Sequence, residues 1–283
     1  MRKSVKKHTH LIEKNVFNKL KVKKMIEQKP LTIILSGEHK HLFKKWVNAL
    51  LILNDSRDSY FRLKLLKTKD GLFVRQFNDS KITLVESLFN KKFFRKFTKE
   101  TIDIEIDLKA LVKCLNFMSK ETDDLTIIFD LPNNELILKD DMTKATIDIA
   151  NDLFIHKVPV LKLPDSIELL KCKVKSDALV SVLKTANKLS DVVIISQIKN
   201  AFLKFSTESD ITFEQLLPVI PVGVMPEIKS CFNTDYLNDI KLVCPLDSFV
   251  SIECASYFPI IFTWYFGKNS YFKFFCSPRT DLG

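Results

Sequence analysis

The sequence predicts an α+β protein built as two similar halves. Three observations carry that reading. Short runs alternate apolar and polar residues as half-buried strands do, other stretches place apolar residues at helical spacing, and the order of the two kinds of element occurs twice. A chain of 283 residues has length enough for two ordinary cores. With 46% hydrophobic residues and only five glycines it has the composition of a packed globular protein.

Leu31-Thr32-Ile33-Ile34-Leu35 reads as a strand closed by Gly37, and residues 38–54 follow with Phe43, Trp46, Val47, Leu50 and Leu51 at helical spacing. Strands are expected near 59–66, 71–78 and 82–88. Ile102-Asp103-Ile104-Glu105-Ile106 alternates cleanly and leads into a second helix at about 107–119. Strands at 125–130, 134–139 and 143–149 complete the first half, with Pro132-Asn133-Asn134 as a turn. Residues 150–167 break the rhythm, and Pro159 and Pro164 push their predecessors out of helical conformation, so this segment reads as an extended connector. The order then restarts with a strand at 168–175, a helix at 176–189 and strands near 191–196, 200–206 and 210–216. A loop from Pro218 to Pro226, a strand at 227–232, a short helix at 233–241 and strands at 247–254, 258–266 and 270–276 finish it. The expected division is an N-terminal extension 1–29, a first domain 30–149, the connector 150–167 and a second domain 168–283. No letters recur between the halves, so architecture repeats and sequence does not.

The net charge of +10 is unevenly placed. Residues 1–29 hold ten Lys or Arg against Glu13 and Glu27, a balance of +8, which leaves +2 for the other 254 residues. Bulk charge therefore says little about the folded body. Within the extension, Lys19, Lys21, Lys23 and Lys24 suit either a nuclear-import signal or an arm that contacts phosphates, and a solvated tail is the plain alternative. Nuclear localisation is the expectation. No run of about 18 apolar residues exists to span a bilayer as a helix, and no apolar signal core stands near the N-terminus, so no membrane partner is expected.

No enzyme motif is found: there is no G-x-x-x-x-G-K-[ST], G-x-G-x-x-G, H-E-x-x-H or G-x-S-x-G. The six cysteines include no C-x-x-C pair, which reads as buried small hydrophobes in a reducing compartment. His39 and His41 would diverge by roughly 200° on a helix, poor geometry for one metal. Glu121, Asp123 and Asp124 read as solvated turn acids rather than a metal site, and Asp140-Asp141 reads the same way. No catalytic residue, metal or cofactor is expected.

The helical lysines are more telling. Leu108, Leu111, Val112, Leu115 and Met118 make one stripe of the second helix, while Lys109, Lys113, Asn116 and Lys120 make another that contains no acid. Lys40 and Lys44 fall on one line of the first helix, and Lys184 and Lys188 stand one turn apart on the third. A solvated helix face ordinarily mixes Glu with Lys. Two readings follow: solubilising faces, or a positive wall that touches DNA phosphates without reading bases.

One stretch carries more than periodicity. Asp70-Gly71-Leu72-Phe73-Val74-Arg75-Gln76-Phe77-Asn78-Asp79-Ser80-Lys81, followed by Leu88 to Phe97 with the pair Phe93-Phe94, resembles the DNA-damage checkpoint sliding clamp, the nine-one-one complex, and specifically its normally tailed subunit. The resemblance spans roughly 31–283 and is strongest at 70–97 and 256–266. It implies the sliding-clamp fold, with antiparallel sheets outside and two helices per domain lining an inner face. It implies a non-catalytic subunit of a heterotrimeric ring that a clamp loader places around double-stranded DNA, independent of sequence, to hold repair and signalling proteins there. The resemblance favours the phosphate-contacting reading of Lys40, Lys44, Lys109, Lys113, Lys120, Lys184 and Lys188. It also implies a pocket for short partner peptides, walled by Phe77, Lys81, Ile82, Pro259, Ile260, Phe275 and Ser277 and closed by Leu161 and Leu163 of the connector. Core packing is the alternative for Phe275 and Ile260. The extension 1–29 is foreign to that family, and the Ser-rich tail of the checkpoint subunit has no counterpart among these residues. The rival readings are a homotrimeric replicative clamp and, from another class, a basic protein that binds nucleic acid through residues 1–29.

Overall fold

The computed structural model describes residues 29–54, 61–118, 123–150, 158, 160, 167–198, 201–245 and 247–279. The first half runs β1 (Leu31–Leu35), α1 (Lys40–Ala49), β2 (Arg62–Lys67), β3 (Gly71–Phe77), β4 (Thr83–Asn90), β5 (Phe94–Lys96), β6 (Ile102–Asp107), α2 (Leu108–Phe117), β7 (Leu125–Asp130), β8 (Glu135–Lys139) and β9 (Lys144–Ala150). The second runs β10 (Leu170–Lys175), α3 (Ser176–Leu189), β11 (Val192–Ile198), β12 (Phe202–Thr207), β13 (Phe213–Pro218), β14 (Ile220–Pro221), β15 (Lys229–Asn233), α4 (Thr234–Asn238), β16 (Phe249–Cys254), β17 (Ile260–Tyr265) and β18 (Tyr271–Cys276).

The repeat is exact in topology. Half one holds the strand orders β4-β3-β2-β6 and β9-β8-β7-β1-β5; half two holds β13-β12-β11-β15 and β18-β17-β16-β10-β14. Every pairing is antiparallel, as alternating strands joined by short turns require. The halves join where β18 pairs with β4 over Tyr271↔Leu88 to Cys276↔Thr83. Within half one, β6 meets β9 only at Glu105↔Ala150 and Ile106↔Ile149. The expected α+β class and paired halves are the observed ones.

Helices cover one face of these sheets. α1 packs on α2, α3 on α4, and α3 also lies across β10 to β13. Asp107 starts α2 because its carboxylate accepts from the Lys109 amide at 2.9 Å. The helix expected over 38–54 is instead three pieces, with 3₁₀ turns at Gly37–His39 and Leu50–Leu53 flanking α1. Leu50, Ile52 and Leu53 are all buried, and the tighter winding delivers them to the core where one α-helical stripe would not. α4 is only five residues long and is held by side chains: Asn233 accepts from Asp235 N at 2.8 Å, and Asn187 on α3 reaches Thr234 and Asp235 at 3.2 and 2.8 Å. The edge strands β5 and β14 escape a sequence reading because three and two residues are too few to show alternation.

Phe89 on β4 is the aromatic hub of half one. It is fully buried, with Phe43, Trp46, Phe93, Phe94 and Phe266 rings 4.7–6.1 Å from its own. Gly71 lets β3 start beside it: a Cβ there would stand 2.1 Å from the Phe89 carbonyl oxygen, and φ is +154°. Backbone, not a flexible side chain, blocks that space. Gly71→Ala is therefore expected to lower unfolding free energy by about 2–4 kcal/mol, read from urea denaturation, with a stability near wild type as the contrary result.

Candidate nucleic-acid interface

The exposed side of the helices is cationic but less uniformly than expected. Lys113 on α2 and Lys184 and Lys188 on α3 are exposed, and Lys44 and Lys109 are half-buried. Lys40 is not part of this surface. It is 8% exposed and its ammonium lies 3.6 Å from Asp140, itself 3% exposed. Lys40 and Lys44 do stand one turn apart on α1, but Lys40, the first α-helical residue, is covered by Asp140 of the β8–β9 turn, so only Lys44 of the pair reaches the open side. Asp140 is correspondingly no solvated turn acid: its Oδ1 accepts from Met142 N and Thr143 N at 3.1 and 2.7 Å. Lys120 and the extension residues Lys19, Lys21, Lys23 and Lys24 lie outside the described residues.

Among the described residues no ion pair reaches Lys44, Lys113, Lys184 or Lys188. The acids are engaged elsewhere: Glu105 with Arg62 and Lys64 at 3.6 and 3.5 Å, Glu86 with Arg75 at 3.1 Å. Lys44, Lys113, Lys184 and Lys188 on the helices are thus left open to an anion such as phosphate. Lys45 on α1 and Lys241 after α4 are exposed as well, and the sequence reading missed both. Lys45 sits one residue from the stripe that was followed, and Lys241 belongs to the 3₁₀ turn Asp239–Leu242 that succeeds a shorter α4 than expected. On the same side, a polar cleft of about 1020 Å³ opens where the halves meet, between the Asp79–Ser80 turn and α4, with Lys109 and Lys241 on its walls.

On the opposite face of the central sheet, strand register assembles one apolar row. Phe77 stands opposite Leu84, Leu84 opposite Phe275, and Phe275 opposite Ile261. Phe77, Ile82, Pro259 and Ile261 are half-buried and Phe275 is 8% exposed, while Lys81 and Ser277 are exposed at the row's end. Ser277 N donates to Ile82 O at 3.0 Å, which holds the two ends together. Ile260 does not belong here. It is fully buried on the core face with Phe262, because a step of one residue along a strand reverses the side-chain direction, and Ile261 takes the expected place. Leu161 and Leu163 lie outside the described residues.

Asp124 is a structural acid, accepting from Gly37 N and from Arg95 at 3.0 Å each, and no metal-holding group of His, Cys, Asp or Glu occurs among the described residues. Burial pushes the thiols of Cys172, Cys244, Cys254 and Cys276 up to about 12, which keeps them protonated at neutral pH.

Two equivalent halves, each with sheets on one side and two helices on the other, define the sliding-clamp fold. Solved structures show this directly. The proliferating cellular nuclear antigen of Entamoeba histolytica superposes with a TM-score of 0.73 at 17% identity, covering 87% of this chain and 98% of that one. The A. fulgidus PCNA bound by the C-terminal region of FEN-1 gives 0.73 at 18%, covering 88% and 98%. Among curated proteins the chain is similar to the DNA polymerase sliding clamps of Methanocella arvoryzae, 25% identical over 248 residues, and Methanococcus maripaludis, 24% over 254. Those matches cover 85% and 84% of this chain and 96% of each relative. No protein-family model matches the chain.

Lys40→Ala is expected to cost about 3 kcal/mol of stability, because Asp140 is left buried beside an apolar gap, whereas Lys184→Ala stays within about 0.5 kcal/mol. Chemical denaturation of both variants measures the contrast; equal effects would contradict the separation of Lys40 from the open face.

Proposed function

We propose that the chain is a non-enzymatic subunit of a ring that encircles double-stranded DNA and holds partner proteins there. The observation that carries this reading is a mismatch between the halves. β4 and β18 pair with each other inside the chain, while their topological equivalents, β13 and β9, do not. β13 pairs only with β12, and β9 keeps an open edge over Lys144–Asp148 among the described residues. Pairing β13 of one subunit with β9 of the next repeats the internal junction. Such head-to-tail contacts close into a ring when the rotation permits. The helices then face the hole, and the lysines left open on them meet phosphates without reading sequence.

Among the finer readings, a processivity clamp has the better support. The curated relatives are named DNA polymerase sliding clamps. The checkpoint reading leans on the Asp70–Lys81 stretch and on Phe93-Phe94; both rings of that pair pack on Phe89, Phe93 buried and Phe94 half-buried, so a clamp that fills this space with aromatics would carry them whichever ring it joins. Nuclear localisation belongs to the checkpoint reading and rests on Lys19 to Lys24 alone. Partner peptides would dock on the row from Phe77 to Ile261; that a clamp of the same fold is bound by the C-terminal region of FEN-1 supports a peptide-binding role.

The test is topological. Protein placed on nicked circular DNA by a clamp loader is expected to remain through a gel-filtration column and to leave once a restriction enzyme linearises the circle. Equal release from both forms would overturn the ring. The triple variant Lys113→Ala/Lys184→Ala/Lys188→Ala should flatten the salt dependence of DNA binding by roughly three in log–log slope for each copy of this chain in the ring, about one per lost phosphate contact; an unchanged slope would place the contacts elsewhere.

A further inference from the structure

A second basic surface lies away from the helices. Lys91-Lys92-Phe93-Phe94-Arg95-Lys96-Phe97-Thr98-Lys99 contains five cations and no acid in nine residues. The structure sorts them by direction. Phe93 is 2% exposed and stacks on Phe89 at 4.7 Å, Phe94 meets Phe89 edge-on at 5.8 Å, and Phe97 lies 5.0 Å from Phe94. All five cations are exposed.

The backbone beneath them is fixed at both ends. Asn90 accepts from Lys92 N at 3.0 Å. Lys67, fully buried, donates to the carbonyls of Thr98 and Glu100 at 2.8 and 2.5 Å, with its ammonium 4.5 Å from the Phe97 ring centroid. Arg95 is met by Asp124 at 3.0 Å and Lys91 by Asp70 at 3.8 Å, while no carboxylate pairs with Lys92, Lys96 or Lys99 among the described residues.

This ridge is also a sheet edge. β5 pairs with β1 on one side and ends the strand order on the other. The second half supplies an internal control, because β14 occupies the equivalent edge position. Val219-Ile220-Pro221-Val222 carries no cation, and Pro221 lacks a backbone donor. The fold therefore does not demand a basic edge at this place. It is a property of half one in this chain.

We infer that the β5 edge is a docking site for an acidic, extended peptide of a partner protein, which adds as a strand and sets its carboxylates against Lys92, Lys96 and Lys99. Charge decides the occupant. Lysine on an edge discourages pairing with strands that leave its charge uncompensated, and an acidic strand supplies the opposite charge across the ladder. The chain's own extension, with a balance of +8 over residues 1–29, is excluded on the same ground. Single-stranded nucleic acid fits less well, because the three rings of the ridge pack on Phe89 and on each other and offer no stacking platform to bases. The inference is independent of ring closure, since the site lies within one subunit.

The experiment is fluorescence anisotropy with the full chain and a labelled twelve-residue peptide of alternating Glu and Thr, beside the Gln–Thr version and a twelve-nucleotide oligo-dT. Binding of the Glu–Thr peptide is expected, weakening at least tenfold in Lys92→Glu/Lys96→Glu/Lys99→Glu and little changed by the equivalent reversal Lys184→Glu/Lys188→Glu on α3. The single variant Lys96→Glu serves if the triple variant loses its circular-dichroism melt. Methylating alternate backbone nitrogens of the peptide should abolish binding, as strand addition requires. Equal binding of the Gln–Thr peptide, indifference to ridge reversal, indifference to backbone methylation, or preference of the ridge for oligo-dT would each overturn the assignment.

Discussion

The pairing of β4 with β18 is the contact on which the rest of the structure depends. Among the described strand pairings it joins the residues farthest apart in sequence, 83–88 against 271–276, and it makes one continuous sheet from two halves. Its side chains serve both faces. Toward the core, Val85 and Phe274 stand opposite each other, both essentially buried; toward the other face, Leu84 and Phe275 form the centre of the apolar row. Buried hydrogen bonds fasten it further: Trp46 donates to Ser87 Oγ at 2.7 Å, which donates to the Tyr271 carbonyl at 2.7 Å, and Asn90 N donates to Ser270 Oγ at 2.9 Å. A helix of the first half is thereby tied to a strand of the second.

The same junction gives the functional reading its logic. A two-fold repeat of architecture uses each strand role twice, yet a single chain can satisfy the β4–β18 pairing only once. The roles left over, on β13 and β9, are edges that need a partner. The proposed ring is the assembly of copies, or of close equivalents, that would pair them. Helices on one side of every sheet then share one surface, and the unpaired lysines on that surface become a wall rather than a scatter of charges.

Much of this was legible in the residues, for identifiable reasons. Strands such as Ile102–Asp107 and Leu170–Lys175 alternate without exception because one face is buried and the other wet, so period two is written openly. The Asp70-Gly71-Leu72 stretch was singled out by resemblance, and the structure supplies a cause in the Phe89 carbonyl that excludes any Cβ at Gly71. The failures are equally physical. Lys40 shares the helical line of Lys44, but periodicity within one helix cannot see that Asp140 of a distant turn covers its first residue. Resemblance places Ile260 in the row where Ile261 stands, because a single residue of register reverses a strand's faces. β5 was invisible, although its KKFFRKF wording was noticed, since three residues of strand leave no period to read. Partner strands of long sequence separation, such as β4 with β18, leave no local trace at all.

The account stands or falls on head-to-tail closure, and the molar mass in solution tests it most directly. Multi-angle light scattering on the purified chain, alone and mixed with candidate clamp subunits from the same source, reads that mass against the 32.8 kDa of one subunit. The account predicts a trimer, formed either from this chain alone, as a processivity clamp would be, or with two different partners, as a checkpoint clamp would be. A monomer or dimer that no partner converts would contradict it.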